Sequence, residues 1–139
     1  MAKGAKRVIL VVDHDLSDLE LMCKVVRRQA HQALPASGYL AGLNTAHMHI
    51  GEIDLLVTAV ALPGKNGCEL AKRLLEKTPD LKVLFVSAPS GAEICRYYGL
   101  LGEGAYFLEK PLAEDEFKRI VQLILEPASG SAAAAGQQP

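Results

Sequence analysis

Long apolar stretches are missing from this 139-residue sequence, and none approaches the about 20 residues that a membrane-spanning helix needs. The chain does begin with three basic residues, Lys3, Lys6 and Arg7, followed by an apolar run at 8–12. That run is too short for the apolar segment of a signal peptide, and Asp13 ends it. We therefore expect no membrane contact.

Cysteine is also scarce, with three residues at Cys23, Cys68 and Cys95. Because the cysteines are odd in number and widely spaced, they form neither a CxxC pair nor a disulfide framework. This usage favours a reducing compartment, so the sequence predicts a cytoplasmic protein. Each cysteine falls in a predicted helix or its first turn, where we expect a buried thiol.

An excess of positive charge is missing too, since 15 basic and 16 acidic residues give a formal net charge of −1. Nothing in this balance points to binding of nucleic acid through its phosphates. The stretch Pro63-Gly64-Lys65 lacks the glycine spacing of a phosphate-binding loop. No nucleophile can be paired with a base, so we do not expect an enzyme.

What the sequence does contain is a regular alternation of short apolar runs and helix-like segments. The runs predict strands at 8–12, 53–58, 81–86 and 105–108, with a short strand at 33–36. Pro35 places that short strand at a sheet edge, because proline cannot donate to a central ladder. Helices are predicted from the capping-box pattern Ser17-Asp18-Leu19-Glu20 onward, weakly at 39–49, and at 68–77, 91–101 and 114–126.

Five β-α units in strict alternation predict an α/β fold, with one doubly wound parallel sheet and helices on both faces. The length suits a single domain, which we assign to residues 1–126. Residues 127–139 contain no apolar side chain larger than alanine, so we predict a disordered tail or the start of a linker. In such sheets a binding site lies at the carboxyl ends of the strands.

The loops at those carboxyl ends carry four short motifs. They are Asp13-His14-Asp15 after the first strand, Leu62-Pro63-Gly64 with Asn66-Gly67 after the third, Ser87-Ala88 after the fourth, and Lys110-Pro111 after the fifth. In this order, over residues 7 to about 126, they resemble the response-regulator receiver domain. The resemblance implies a flavodoxin-like fold with strand order 2-1-3-4-5 and a role in two-component phosphorelay signal transduction.

The resemblance also implies a chemistry, in which an aspartate after the third strand accepts a phosphoryl group with the help of Mg²⁺, a lysine and a hydroxyl. In this chain the acceptor position is Ala59, and the second acid of the pair after the first strand is His14. Alanine has no nucleophile and imidazole is a poor ligand for Mg²⁺. We therefore expect no catalytic residue, no metal site, and weak or absent Mg²⁺ binding.

Four remnants of the implied pocket are left, Asp13, His14, Ser87 and Lys110. Asp13 is either a functional carboxylate or the structural partner of Lys110. We prefer the second hypothesis, because the implied phosphoryl acceptor is missing. His14 is either a metal ligand or, as we prefer, a polar loop residue. Ser87 either binds a ligand or caps a nearby backbone group.

The function we expect is that of a degenerate receiver, or pseudo-receiver, which binds proteins without being phosphorylated. The resemblance implies a histidine kinase or an output domain as partner, either separate or covalently linked, or a homodimer. The contact face would be built by the fourth helix, the fifth strand and the fifth helix, with Tyr97, Tyr98, Phe107, Leu112 and Leu123 on or near it. Two alternatives stay open: phosphorylation of an unmatched acceptor, and a small-ligand or metal sensor using the vacated pocket.

Overall fold

Five strands and five helices alternate along the described part of the chain, residues 6–102 and 104–126 of a computed structural model. The strands are β1 Val8–Val12, β2 Gln32–Ala36, β3 Leu55–Thr58, β4 Lys82–Ser87 and β5 Ala105–Glu109. The helices are α1 Leu16–Arg28, α2 Tyr39–Met48, α3 Gly67–Lys77, α4 Ser90–Tyr97 and α5 Glu114–Leu125. All strand pairs are parallel, in the order β2-β1-β3-β4-β5, which confirms the predicted topology. The predicted tail at 127–139 lies outside the described residues.

The core consists of two layers, one on each face of the sheet, because side chains alternate along a strand. Ile9 and Val11 of β1 pack with residues of α1 and α5, whereas Leu10 and Val12 pack with residues of α2, α3 and α4. Burial on both faces explains why the central strands are continuously apolar in sequence. Among the described residues, none of the helices has the length and apolar character needed to cross a bilayer.

The start of α1 differs from the prediction. The helix begins at Leu16, and its N-cap is Asp15, whose Oδ1 accepts a hydrogen bond from the backbone N–H of Asp18 at 3.1 Å. Ser17 therefore lies inside the first turn, and its assignment as the capping residue was wrong. Aspartate caps a helix at least as well as serine, so Asp15, two residues earlier in the chain, takes this role.

The end of α4 also differs from the predicted range of 91–101, because the helix stops at Tyr97. Gly99 has a φ of 70°, in the left-handed region that glycine adopts at low cost. The backbone N–H of Leu100 then donates to the carbonyl of Cys95 at 2.9 Å, which closes the last turn. The remaining boundaries lie within two residues of those predicted.

His31, just before β2, makes a hydrogen bond that depends on its protonation state. Its Nδ1 accepts from the backbone N–H of Arg7 at 3.1 Å, which a protonated ring cannot do. Burial lowers the pKa of His31, and the charge of Arg7 lowers it further, against the opposing effect of Asp54. The folded protein therefore favours the neutral imidazole.

We expect this group to make stability depend on pH. Because the folded-state pKa lies below the unfolded-state value of about 6.5, the unfolded state takes up the proton first as the pH falls. The contribution of His31 is thus present above about pH 6.5 and is lost on acidification. The free energy of unfolding in urea should fall between about pH 7.5 and about pH 5.5, and it should fall less in His31→Gln than in the wild type. Glutamine keeps a hydrogen-bond acceptor but does not titrate. The control is His47→Gln, at an exposed position, which should lose as much stability as the wild type. An equal loss in His31→Gln and the wild type would contradict the role of His31.

Candidate functional site

Four loops meet at the carboxyl edge of the sheet, as the strand register requires. Val12 pairs with Thr58, so Asp13 and Ala59 follow side by side, and the N–H of Ala59 donates to the Val12 carbonyl at 2.9 Å. On the other side Ser87 pairs with Glu109, and the N–H of Lys110 donates to the Ser87 carbonyl at 2.8 Å. The edge thus brings together the ends of β1, β3, β4 and β5.

Asp13 is the most buried charged group of this edge, with 2% of its surface exposed. Its Oδ2 lies 2.9 Å from Nζ of Lys110, and its Oδ1 accepts from the backbone N–H of Asp15 at 2.9 Å. The ion pair preferred from the sequence is therefore present. It connects the ends of β1 and β5, two strands that do not neighbour each other in the sheet. The Lys110–Pro111 peptide bond is cis.

Lys110 has a second carboxylate partner that was not predicted from the sequence. Oδ2 of Asp18, in the first turn of α1, also lies 2.9 Å from its Nζ. Burial alone would lower the pKa of Lys110, but its hydrogen bonds with Asp18 and Asp13 and their charges outweigh burial and raise it. The ammonium group is thus held in its charged form between two carboxylates.

The donor atoms at this edge do not fit Mg²⁺, which requires oxygen ligands in near-octahedral array. Both oxygens of Asp13 already have partners, and Asp15 is engaged as the cap of α1. His14, between them, is exposed and offers nitrogen rather than oxygen. Over residues 6–102 and 104–126, the structure contains no cluster of three or more His, Cys, Asp or Glu side chains that could hold a metal ion.

Ala59 is buried where the β3–α3 loop begins, with 4% of its surface exposed. The loop is tight, because a Cβ on Gly67 would overlap the carbonyl oxygen of Ala59 and lie 2.9 Å from Oγ1 of Thr58. Thr58 therefore points toward the start of α3. Asp54 lies at the opposite end of β3, where its Oδ2 accepts from the N–H of Val8 at 2.8 Å.

Ser87 is buried at the end of β4, beneath the first turn of α4. A Cβ built on Gly91 would lie 2.5 Å from the hydroxyl oxygen of Ser87 and 2.9 Å from its Cβ, so any larger residue at this point of α4 would require Ser87 to move. The close approach leaves the hydroxyl covered by α4. The structure thus places all four predicted pocket residues at one edge, although His14 faces solvent.

The predicted contact face divides into exposed and half-buried side chains. Tyr97 is 87% exposed and Leu123 is 61% exposed, while Ile94, which was not among the predicted contact residues, is 39% exposed. The other three selected residues are partly buried: Tyr98 and Phe107 pack on the core layer of α2, α3 and α4, and Leu112 packs on the opposite layer. Two of the five selected side chains are therefore exposed, and the other three contribute to the packing of the core layers.

The ion-pair geometry predicts that Lys110 and Asp18 contribute unequally to stability. Lys110→Met leaves the buried Asp13 carboxylate without its cation, which should cost about 3 kcal/mol. Asp18→Asn removes a partly exposed partner while the Asp13 pair remains, so we expect a loss of less than about 1 kcal/mol. Chemical denaturation of both variants tests this. Glu114→Gln, which removes the exposed pair with Arg28, is the control and should change stability by less than about 0.5 kcal/mol. An Asp18→Asn loss as large as that of Lys110→Met would contradict the unequal contribution.

Comparison with curated proteins finds relatives in plants. The chain is 30% identical over 127 residues to Two-component response regulator ARR7 of Arabidopsis thaliana, covering 84% of this chain and 62% of that protein. It is 27% identical over 135 residues to Two-component response regulator-like PRR37 of Oryza sativa subsp. japonica, covering 94% of this chain and 18% of that protein. The chain thus spans only part of the length of these relatives.

Comparison with solved structures and family models gives a consistent result. The non-phosphorylated HemR receiver domain from Leptospira biflexa superposes with a TM-score of 0.77 at 26% identity, covering 88% of this chain and 96% of that one. The receiver domain of the hybrid histidine kinase CckA gives a TM-score of 0.72 at 26% identity, covering 86% of this chain and 99% of that one. The family model of the response regulator receiver domain matches residues 9–122. The chain therefore belongs to the response regulator receiver domain family.

Proposed function

We propose that this chain is a degenerate receiver domain of a two-component signalling protein, and that it regulates or binds other proteins without being phosphorylated. One observation carries the proposal: Lys110 is held between Asp13 and Asp18, at an edge where Ala59 occupies the position of the acceptor. The proposal makes the domain an interaction module and not an enzyme. It also leaves the domain without a resident metal ion.

The charge arrangement supports this proposal in two ways. A lysine that serves phosphoryl transfer must offer its charge to phosphoryl oxygens, but two carboxylates already neutralise Lys110. The buried methyl group of Ala59 can form no bond to phosphorus. A phosphoryl group at the position of Ala59 would therefore have neither an acceptor nor a free cation.

Other acceptors at this edge are poorly placed, which counts against phosphorylation at an unmatched residue. The Asp15 carboxylate is directed at the N-terminus of α1, and Asp54 is bound at the far end of β3. Thr58 faces the start of α3. The carboxylate partners of Lys110 are Asp13 and Asp18, and none of these three side chains bonds to it.

The contact surface we propose is the outer face of α4, β5 and α5, with Tyr97, Ile94 and Leu123 as exposed apolar contacts. Large aromatic side chains often provide the binding energy of protein interfaces. The partner would be a histidine kinase or an output domain, linked in the same protein or separate, or a second copy of this chain. Because the net charge of the chain is −1, we propose no nucleic-acid partner. We also propose no membrane partner and a cytoplasmic location.

The first test is the intact mass after incubation with acetyl phosphate and Mg²⁺, measured with and without hydroxylamine. We expect no mass gain, because Ala59 provides no carboxylate. A receiver domain that carries the aspartate, treated in parallel, shows that the donor is active. A hydroxylamine-labile phosphoryl adduct on this chain would overturn the proposal, and peptide mapping would then identify the carboxylate that accepts it.

A second test rebuilds the acidic pocket with the double substitution Ala59→Asp and His14→Asp. Two added carboxylates beside Asp13 supply the oxygen ligands that Mg²⁺ prefers, so Mg²⁺ should raise the melting temperature of this variant but not that of the wild type. Ala59→Asp alone should respond less, since one acid is still missing. The double substitution Ala59→Asn and His14→Asn is the matched control of nearly equal shape. If the acidic double variant does not respond to Mg²⁺, the loops have departed from receiver geometry.

A further inference from the structure

Two of the three cysteines form a contact that the site at the carboxyl edge does not use. Cys68 lies in the first turn of α3 and Cys95 lies in α4, 27 residues further along the chain. Both are fully buried in the same core layer, and their sulfur atoms are 3.4 Å apart. The sequence predicts a buried thiol at each position but not their contact, because a separation of 27 residues carries no signal of contact.

We propose that Cys68 and Cys95 are a site of reversible oxidation, at which hydrogen peroxide, a small uncharged oxidant, joins the two thiols into a disulfide that fastens α4 to α3. The chemistry does not depend on whether the domain is phosphorylated. The proposal therefore goes beyond the function argued above.

The geometry requires only a small movement. The sulfur atoms must approach from 3.4 Å to the disulfide bond length of about 2.05 Å. The movement would come from the side-chain torsions and from α4, an eight-residue helix whose N-cap, Pro89, makes no side-chain capping hydrogen bond. Gly99 ends this helix shortly after Cys95. No other pair of cysteines in the described chain has its sulfur atoms in contact.

The surroundings of the two thiols differ. Burial raises the pKa of both above the ordinary thiol value. At Cys95 two influences oppose this rise in pKa. The S–H of Cys68 donates a hydrogen bond to the sulfur of Cys95, and the positive charge of Arg96 favours the thiolate. Cys95 is therefore the more readily deprotonated thiol, and the thiolate is the form that reacts with peroxide. Because burial keeps the thiolate fraction low, oxidation should be slow at neutral pH and faster as the pH rises.

The reaction balances with hydrogen peroxide as the sole oxidant. The Cys95 thiolate attacks one peroxide oxygen, so that an S–O bond forms, the O–O bond breaks, and the departing hydroxide takes up the thiol proton to become water. The Cys68 sulfur then attacks the sulfur of the Cys95 sulfenic acid, forming the S–S bond. The hydroxide released in this step takes the Cys68 proton and leaves as a second water. Two electrons pass from the cysteines to the peroxide.

Cys23 provides an internal control for this proposal. It is a buried thiol, with 3% of its surface exposed, and burial also raises its pKa. It belongs to the other core layer, across the sheet from Cys68 and Cys95. Burial alone therefore predicts similar behaviour for all three cysteines, whereas sulfur contact predicts reaction of one pair and not of Cys23.

The test counts thiols in the full chain after treatment of the folded protein with peroxide. The peroxide is removed with catalase, the protein is unfolded in urea with N-ethylmaleimide, and the intact mass is measured. The reduced protein should take three labels, and the oxidised protein should take one label and weigh two hydrogen atoms less before labelling. Peptide mapping should place that label on Cys23 and find Cys68 and Cys95 cross-linked, and dithiothreitol should restore all three labels.

Two serine variants complete the design. Cys23→Ser should form the disulfide and take no label after oxidation, whereas Cys95→Ser should form no disulfide. Oxidised protein should also melt at a higher temperature than reduced protein, because the cross-link restricts the unfolded chain. The proposal is overturned if the folded wild type keeps three labels at a peroxide dose that oxidises the urea-unfolded chain. A disulfide that includes Cys23, or one between two molecules, would equally overturn it.

Discussion

The structure depends above all on the burial of the central strands on both faces of the sheet. β1 and β3 have no solvent-exposed side, so their apolar side chains must be covered by helices above and below. α1 and α5 cover one face, and α2, α3 and α4 cover the other. Because all strands are parallel, this arrangement also sends every β–α loop to the same edge. The candidate site is a direct consequence of how the core is buried.

At that edge a single buried carboxylate sets the local electrostatics. A charge as buried as Asp13 is stable only with partners, and it has both the Lys110 ammonium and the backbone N–H of Asp15. Asp18 adds a second carboxylate to the same lysine. The result is an arrangement in which the charges satisfy each other and no ligand is required. In a receiver domain that carries Ala59, this arrangement supports the proposed regulation without phosphorylation.

The oxidation site and the candidate contact face meet in α4. Cys95 is on the buried side of this helix, while Ile94 and Tyr97 are on its exposed side. A covalent link from Cys95 to α3 would therefore restrict the same helix that offers two of the three exposed apolar contacts. Gly91, packed on the Ser87 hydroxyl, ties the beginning of α4 to the end of β4. The helix α4 therefore contacts both the end of β4 and the cysteine pair in the core.

Local patterns in the sequence determined the element order, the burial of the strands and the loops that form the site, because periodicity and turn residues act over a few neighbours. They were sufficient to pair Asp13 with Lys110 once the family pattern was recognised. They were insufficient where a contact joins distant segments, as for Asp18 with Lys110 and for Cys68 with Cys95. The cap of α1 at Asp15 and the end of α4 at Tyr97 also differed from expectation, since several nearby residues could cap or end these helices. Which side chains meet is decided only when the sheet and its helices pack, because packing brings together atoms that the chain order leaves far apart.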